Sequence, residues 1–210
     1  MLSLKDCIEA YSHKGIIHVG ANSGQERDLY HNLGKLVYWI EADPNIYPKL
    51  EENIEGFPNQ TSMCALIYDT IEKVAFNQSK QSERSSIFAF TNHHFEDDNF
   101  HHLDTIELQP TRLDILFQDG SVNLEEYDTL VTDCQGADLN IIRSLGNNIS
   151  QFNLIVTEVF FEPCYENISL AKDFNSYMKQ NQFKLVGEFG RKPKWSNYIY
   201  LNEKTNPYIH

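Results

Sequence analysis

Basic residues are scarce in this sequence. Lys and Arg total 17 against 30 Asp and Glu, so the formal net charge is −13. The cations are scattered along the chain, whereas proteins that bind nucleic acid or anionic membranes concentrate them in a patch. This deficit argues against a polyanionic partner, and a solvated acidic surface is the simplest explanation of the charge. An acidic protein also suits a cationic ligand, although net charge alone does not demonstrate one.

Cysteines and long apolar runs are few as well. No apolar run approaches the roughly 20 residues that span a bilayer, and the first ten residues carry charges that a signal peptide would lack. We therefore expect a cytoplasmic protein without membrane contact. The cysteines, which have no metal-site spacing, should be free thiols: Cys7, Cys64, Cys134 and Cys164.

Short apolar runs alternate with segments of helical periodicity along most of the chain. With 210 residues and 41% apolar content, it can form one complete core, and we predict a single domain over residues 1–210. The pattern predicts strands at residues 16–19, 36–40, 61–68, 129–132, 154–159, 183–188 and 198–201. It predicts helices at residues 4–11, 25–33, 48–54, 113–117, 138–145 and 170–180. Residues 69–110 look irregular, apart from a short strand at 74–77.

This alternation predicts the fold class. Strands separated by helices need crossover connections, so we expect a doubly wound, Rossmann-like α/β sheet that is mostly parallel. The last two strands are joined through Gly190 and Pro193 without a helix. They should form a hairpin that adds an antiparallel strand at the C-terminal end.

The loop after the first strand indicates a nucleoside-bearing cofactor. Gly20 and Gly24 let the backbone approach a ligand, and Glu41 ends the next strand 17 positions further on. That offset is close to the one at which an acidic side chain reaches ribose hydroxyls. Asn22 replaces the middle glycine of dinucleotide folds. A cofactor without pyrophosphate needs less phosphate-binding backbone, so the spacing favours S-adenosylmethionine over NAD.

Six segments follow one another in an order typical of a known family. They are residues 17–25 (IHVGANSGQ), 39–44 (WIEADP), 85–86 (SS), 110–114 (PTRLD), 133–138 (DCQGAD) and 158–159 (EV) with 165–166 (YE). Together they resemble the motifs of the FkbM-type methyltransferases over nearly the whole chain. The resemblance implies an S-adenosylmethionine-dependent O-methyltransferase that acts on hydroxyls of sugars, glycans or glycosylated small molecules. It also implies these cofactor-binding residues: His18, Gly20, Asn22, Ser23, Gly24, Glu41, Ala42, Ser86 and Asp133.

Two positions depart from the family pattern. His18 stands where the first motif usually begins with an acid that contacts the methionine end of the cofactor. Gln135 replaces the first Glu of an Asp-x-Glu-Gly-x-Glu signature, which removes one charge from the site. Both departures concern how the methionine part is held.

Two carboxylates are candidates for the catalytic base. Asp133 and Glu158 lie at the carboxyl ends of predicted strands, the edge where doubly wound sheets bind ligands. A sugar hydroxyl is a poor nucleophile at neutral pH, so a base within hydrogen-bond reach should assist methyl transfer. Helix capping, cofactor holding or loop orientation are the structural alternatives for these two residues.

The histidine pairs at residues 93–94 and 101–102 raise the question of a metal. Adjacent residues of an extended segment point to opposite faces, so at most one of each pair could join a site. The spacing matches no zinc pattern, and we predict no metal. A solvated loop over the acceptor is the preferred interpretation of this segment.

Two other functions remain open from the sequence. A nicotinamide-dependent oxidoreductase would share the fold but lacks the middle glycine. A non-catalytic module that binds an adenosyl cofactor or a sugar would be compatible with the changes at His18 and Gln135.

Overall fold

The computed structural model of the chain describes residues 3–89, 91 and 102–206. The helices are α1 (Leu4–Tyr11), α2 (Arg27–Asn32), α3 (Tyr47–Ile54), α4 (Leu113–Gln118), α5 (Asp138–Arg143) and α6 (Ala171–Gln180). The strands are β1 (Gly15–Val19), β2 (Val37–Glu41), β3 (Gln60–Cys64), β4 (Val74–Ser79), β5 (His102–Leu108), β6 (Tyr127–Thr132), β7 (Leu154–Phe160), β8 (Phe183–Phe189) and β9 (Trp195–Asn202). A short 3-10 helix at Ser82–Arg84 follows β4.

Within these described ranges, seven strands form one sheet in the order β3-β2-β1-β6-β7-β9-β8. The first five strands in this order are mutually parallel, and β9 is antiparallel to both β7 and β8. The predicted doubly wound fold with a C-terminal antiparallel strand is therefore confirmed. The position of that strand was not predicted: β9 inserts between β7 and β8, and β8 forms the edge.

Both faces of the sheet are covered, because successive side chains of its strands point to opposite sides. On β1, Ile16 packs with buried residues of α1 to α3, whereas Ile17 packs with those of α4 to α6. Leu130 and Val131 of β6 divide between the two cores in the same way. Strands buried on both faces explain why the sequence shows them as continuous apolar runs.

Local signals place several element ends. Ser3 caps α1 in a reciprocal pair with Asp6, in which each side chain accepts from the other residue's backbone N–H. The predicted helix at residues 25–33 is shorter, since α2 begins at Arg27. Gly34 follows α2 with a φ of 65°, the left-handed conformation expected after a helix end.

Two expectations for the middle of the chain were wrong. The strand predicted over residues 61–68 ends at Cys64, because Leu66 and Tyr68 form backbone hydrogen bonds with Thr111 instead of with β2. The region predicted to be irregular contains β5, which pairs with β4 as a separate antiparallel hairpin. Most of β5 is exposed, so its sequence lacks the apolar alternation that identifies a half-buried strand.

Candidate cofactor and active site

The strand order reverses between β1 and β6, and the loops that follow these two strands enclose a cleft at the carboxyl edge of the sheet. Gly20 begins the first loop with a φ of 81°. A Cβ at this position would lie 2.1 Å from the carbonyl oxygen of Asp133. Glycine is therefore required at residue 20 for the two loops to approach each other, independently of any ligand.

The cleft has a volume of about 890 Å³, including its solvent-open part, which suits a ligand of nucleoside size. Seven of the predicted cofactor residues line it: His18, Gly20, Asn22, Glu41, Ala42, Ser86 and Asp133. Ser23 and Gly24 lie outside its lining. The carbonyl oxygen of Ser23 accepts a hydrogen bond from Asn53, and the α-carbon of Gly24 faces Leu50 of α3.

Glu41 lies at the end of β2 with its carboxylate fixed by two backbone groups. Oε2 accepts from the N–H of Asn22 at 2.6 Å, and Oε1 accepts from the N–H of Asp43 at 2.8 Å. Burial raises the pKa of Glu41, and the two N–H groups lower it in part. Each oxygen keeps a lone pair beyond these bonds, so a pair of ribose hydroxyls could bind to the same carboxylate.

His18 is a buried, neutral member of an aromatic group. Its ring stacks on Trp39 at a centroid distance of 4.8 Å, and its Nδ1 lies 3.1 Å from the hydroxyl of Tyr30. Burial lowers the pKa of His18 to about 3. His18 therefore supplies no charge to the cleft at neutral pH, which is the consequence of having histidine where the family has an acid.

Asp133 and Glu158 meet at the ends of β6 and β7. Both side chains accept from the amide of Gln135, and each carboxyl influences the pKa of the other. The side chain of Asp133 is exposed to the cleft, and the protein packed around its carboxyl raises the pKa to about 6. Glu158 is 4% exposed and lies outside the cleft lining, and burial, together with the negative charges of Asp133 and Asp138, raises its pKa well above the usual value. Because Glu158 is buried and Asp133 is exposed, a proton held between the two carboxyls is favoured on Glu158.

Gln135 joins these two carboxyls to a tyrosine. Its Nε2 donates to Asp133 at 2.9 Å and to Glu158 at 3.2 Å, and its Oε1 accepts from the hydroxyl of Tyr165 at 2.6 Å. Its backbone φ is 50°, a left-handed conformation that costs a residue with a Cβ about 1–2 kcal/mol. Asp138 holds the same loop by accepting from the N–H groups of Cys134 and Gly136.

The segment after β4 forms the opposite wall of the cleft. The Ser86 hydroxyl donates to the backbone carbonyl of Gln135 at 2.8 Å, and the Asn22 amide donates to the Ser82 hydroxyl at 3.0 Å. These contacts connect the β4 segment with the loops after β6 and β1. Sequence reasoning identified Ser86 but missed Ser82, since no local pattern indicates a contact 60 residues away.

The cleft is acidic. Its lining contains the carboxylates of Glu26, Glu41, Glu83 and Asp133, and no Lys or Arg of the described residues is among the lining side chains. Glu26 was missed from the sequence, although its place two residues after Gly24 puts it in the loop that borders the site. This charge distribution favours a cationic ligand.

No group of three or more His, Cys, Asp or Glu that could hold a metal ion occurs in residues 3–89, 91 and 102–206. His93, His94 and His101 lie outside the described residues. The ring Nε2 of His102, the first residue of β5, lies 2.9 Å from the hydroxyl of Thr105. The absence of a metal stays a prediction.

These residues fit S-adenosylmethionine. Glu41 offers a carboxylate for the ribose, and the apolar side chains of Ile40, Leu66, Ile67 and Ile141 offer a surface for the adenine. The acidic lining matches a cofactor that carries a sulfonium and an ammonium against a single carboxylate.

Several solved structures share this fold at low sequence identity. Fibrillarin from Aeropyrum pernix, solved with natively bound S-adenosylmethionine, is 11% identical at a TM-score of 0.51, covering 90% of this chain and 66% of its own. Fibrillarin from Methanococcus jannaschii is 14% identical at a TM-score of 0.53, with the same coverage. A putative tRNA (m1A22) methyltransferase from Streptococcus pneumoniae is 9% identical at a TM-score of 0.52, covering 96% and 71%. This chain thus spans about two thirds of the length of the fibrillarins.

The fold is that of the Rossmann-like methyltransferases. Within this class, the model of the methyltransferase FkbM domain matches residues 18–185. The chain belongs to the FkbM methyltransferase family, and the predicted cofactor, S-adenosylmethionine, is confirmed. No curated protein matches the sequence significantly. In the described part of the chain, no helix combines the length and the apolar character needed to cross a membrane.

Proposed function

We propose that this protein is an O-methyltransferase that methylates a hydroxyl of a sugar, a glycan or a glycosylated small molecule. The observation that carries this proposal is the pair of carboxyls of Asp133 and Glu158, which accept from the same Gln135 amide at the cleft. A hydroxyl needs a base when it attacks a methyl group, and a carboxylate with a pKa of about 6 is ionised at neutral pH while remaining basic enough to assist.

The charge of the protein supports a neutral acceptor. A nucleic acid would bring phosphates toward a cleft lined by four carboxylates in a chain of net charge −13, and that approach is repulsive. A ring nitrogen of a base is also nucleophilic without a general base, so the carboxyl pair would have no task there. A neutral hydroxyl acceptor gives both features a purpose.

The residues of the chain divide the work as follows. Glu41 holds the ribose, and the acidic lining holds the cationic end of the cofactor. The bound cofactor supplies an electrophilic methyl group on its sulfonium. Asp133 accepts a hydrogen bond from the acceptor hydroxyl and takes its proton as the oxygen bonds to the methyl group and the methyl–sulfur bond breaks. Glu158 keeps its own proton throughout and uses it to donate a hydrogen bond to Asp133. The cleft walls align the acceptor oxygen, which for a displacement reaction is a large part of catalysis.

A turnover assay with defined acceptors tests the proposal. The protein is incubated with S-adenosylmethionine and a panel of methyl glycosides and oligosaccharides, and formation of S-adenosylhomocysteine is measured. We expect product with at least one glycoside and none with an unmodified tRNA transcript. Product with the transcript alone contradicts the proposal. Cofactor binding without turnover on any acceptor supports the non-catalytic module, and NAD binding without S-adenosylmethionine binding supports the oxidoreductase.

Two variants separate the roles of the carboxyls. Asp133→Asn removes the base and should reduce turnover about 10²- to 10⁴-fold while cofactor affinity is kept. Glu158→Gln should cost less than about tenfold, since its amide can still donate to Asp133. Equal turnover of Asp133→Asn and the unmodified protein would place the base elsewhere.

A further inference from the structure

The orientation of the Gln135 amide is determined by its partners. Tyr165 donates its hydroxyl proton to Oε1, and Nε2 faces the carboxyls of Asp133 and Glu158. In the reverse orientation, Oε1 would face the two carboxyls, and the ionised carboxylate of Asp133 could not donate a hydrogen bond to it. The tyrosine therefore keeps the donating end of the amide directed at the pair.

The two amide protons complete the hydrogen bonding of the carboxyl pair. One is donated to Asp133 and the other to Glu158. Two carboxyls this close to each other hold one further proton between them, because both cannot readily ionise together. A glutamate at residue 135 would instead add a third carboxyl, and one more proton would be needed to avoid repulsion. Glutamine thus supplies hydrogen bonds without supplying charge.

Resting on the function proposed above, we infer that Gln135 is a positioning residue, oriented by Tyr165, that holds Asp133 and Glu158 as a singly protonated pair with its negative charge on Asp133. The amide stabilises the ionised form of Asp133, which faces the cleft. The same amide also donates to Oε2 of Glu158, so that the proton of Glu158 remains directed at Asp133. Catalysis would then depend on Gln135, at the cleft wall, and on Tyr165, which lies outside the cleft lining.

Other titratable groups act on the pair and stay the same in the variants below. The carboxylate of Glu26, at the start of α2, and that of Asp138, on α5, both oppose ionisation of the pair. Burial keeps the neighbouring thiol of Cys134 and the hydroxyl of Tyr165 protonated, since the pKa of each is raised well above its usual value. The Cys164 thiol, which Glu158 also influences, has its pKa raised to about 12.

The test is a carboxyl titration of the protein without cofactor or acceptor. Aspartate labelled with ¹³C at its carboxyl carbon is followed by NMR from pH 4 to 9, and the Asp133→Asn variant identifies the signal. Gln135→Met removes both donated protons, so the midpoint of Asp133 should rise by about 1–2 pH units. Tyr165→Phe should produce a smaller rise in the same direction, because the amide loses the partner that orients it.

Two further variants control the experiment. Gln135→Glu should raise the midpoint at least as far as Gln135→Met, since it adds a charge as well as removing donors. Tyr200→Phe should leave the midpoint unchanged, since this buried hydroxyl donates to Asn175 and lies outside the cleft lining. Unchanged midpoints in both Gln135→Met and Tyr165→Phe overturn the inference. If Gln135→Met does not fold, the tyrosine variant alone decides.

The titration also separates this inference from the proposed function. Shifted midpoints together with no methyl transfer to any hydroxyl would sustain the positioning role and refute the function. Where an acceptor is found, the acidic limb of the pH–rate profile should move upward in Gln135→Met by the same 1–2 units. A lower rate with an unmoved limb would mean that Gln135 acts only on the shape of the loop, and this would overturn the inference.

Discussion

The role of Glu41 can be tested by changing one atom. Glu41→Gln keeps the size of the side chain but replaces one carboxylate oxygen with an amide group. In the structure, Oε2 accepts from the N–H of Asn22 and Oε1 accepts from the N–H of Asp43. Whichever oxygen is replaced, one of these backbone N–H groups then faces the NH₂ group of glutamine, which cannot accept its hydrogen bond. Leaving one buried N–H without its acceptor costs about 1–3 kcal/mol, and we expect the stability of the cofactor-free protein to fall by that amount.

The effect on the cofactor is expected to be separate and larger. Hydrogen bonds to a charged group contribute about 1.5–3 kcal/mol and those to a neutral group about 0.5–1.5 kcal/mol, so each of two ribose hydroxyls would lose about 1–2 kcal/mol when Glu41 loses its charge. A combined loss of about 2–4 kcal/mol corresponds to roughly 30- to 700-fold weaker binding. Calorimetry with S-adenosylhomocysteine measures this loss, and thermal unfolding of the cofactor-free protein measures the first one.

A matched control removes one carboxylate that lies outside the cleft lining. Glu55 is exposed at the end of α3, so Glu55→Gln should alter neither quantity. The reasoning is refuted if Glu41→Gln folds and binds S-adenosylhomocysteine within twofold of the unmodified protein. If both variants lose the same amount of cofactor affinity, Glu41 contributes only its negative charge and makes no specific contact with the ribose.

Other perturbations have equally definite outcomes. Gly20→Ala should destabilise the protein by at least 2 kcal/mol more than Gly34→Ala in denaturant unfolding: both glycines have positive φ, but only at Gly20 would a Cβ meet backbone, whereas at Gly34 it would meet nothing. Raised pKa values, about 6 for Asp133 and about 7 for Asp138, mean that the folded state holds these protons more tightly. Their contribution to stability is therefore complete below about pH 4 and is lost as the pH rises through 6 to 7. Asp138→Asn should flatten the decline in melting temperature over this range, and an unchanged slope would contradict the assignment. Treatment with EDTA should change neither the melting temperature nor cofactor affinity; a loss that magnesium restores would reveal a metal site.

Local sequence signals determined the elements and the class of cofactor. Ser3 with Asp6 predicted the start of α1, and Gly34 predicted the end of α2, because caps and left-handed turns depend on residues close in sequence. Apolar runs predicted the parallel strands, since a strand buried on both faces requires them. The sequence also predicted that Glu41 lies beside the loop that begins at Gly20. Both follow parallel strands, and the carboxyl ends of parallel strands lie at the same edge of the sheet.

Contacts between distant residues could not be read in the same way. The pairing of β4 with β5, and the insertion of β9 between β7 and β8, depend on partners that no local pattern names. β5 was harder still to predict, because most of its side chains are exposed and therefore need not alternate between apolar and polar. The hydrogen bond of Asn22 to Ser82 belongs to the same group of long-range contacts.

The protonation of the site was decided by the tertiary structure alone. The sequence offered Asp133 and Glu158 as equivalent acids, and it showed Gln135 and His18 as lost charges. Folding buries Glu158 and leaves Asp133 exposed to the cleft, so the two carboxyls have different surroundings, on which the proposed roles of proton donor and base depend. It also stacks His18 on Trp39, which keeps the imidazole neutral. Burial and the distances between charged groups determine a pKa, and both exist only once strands far apart in sequence are brought side by side.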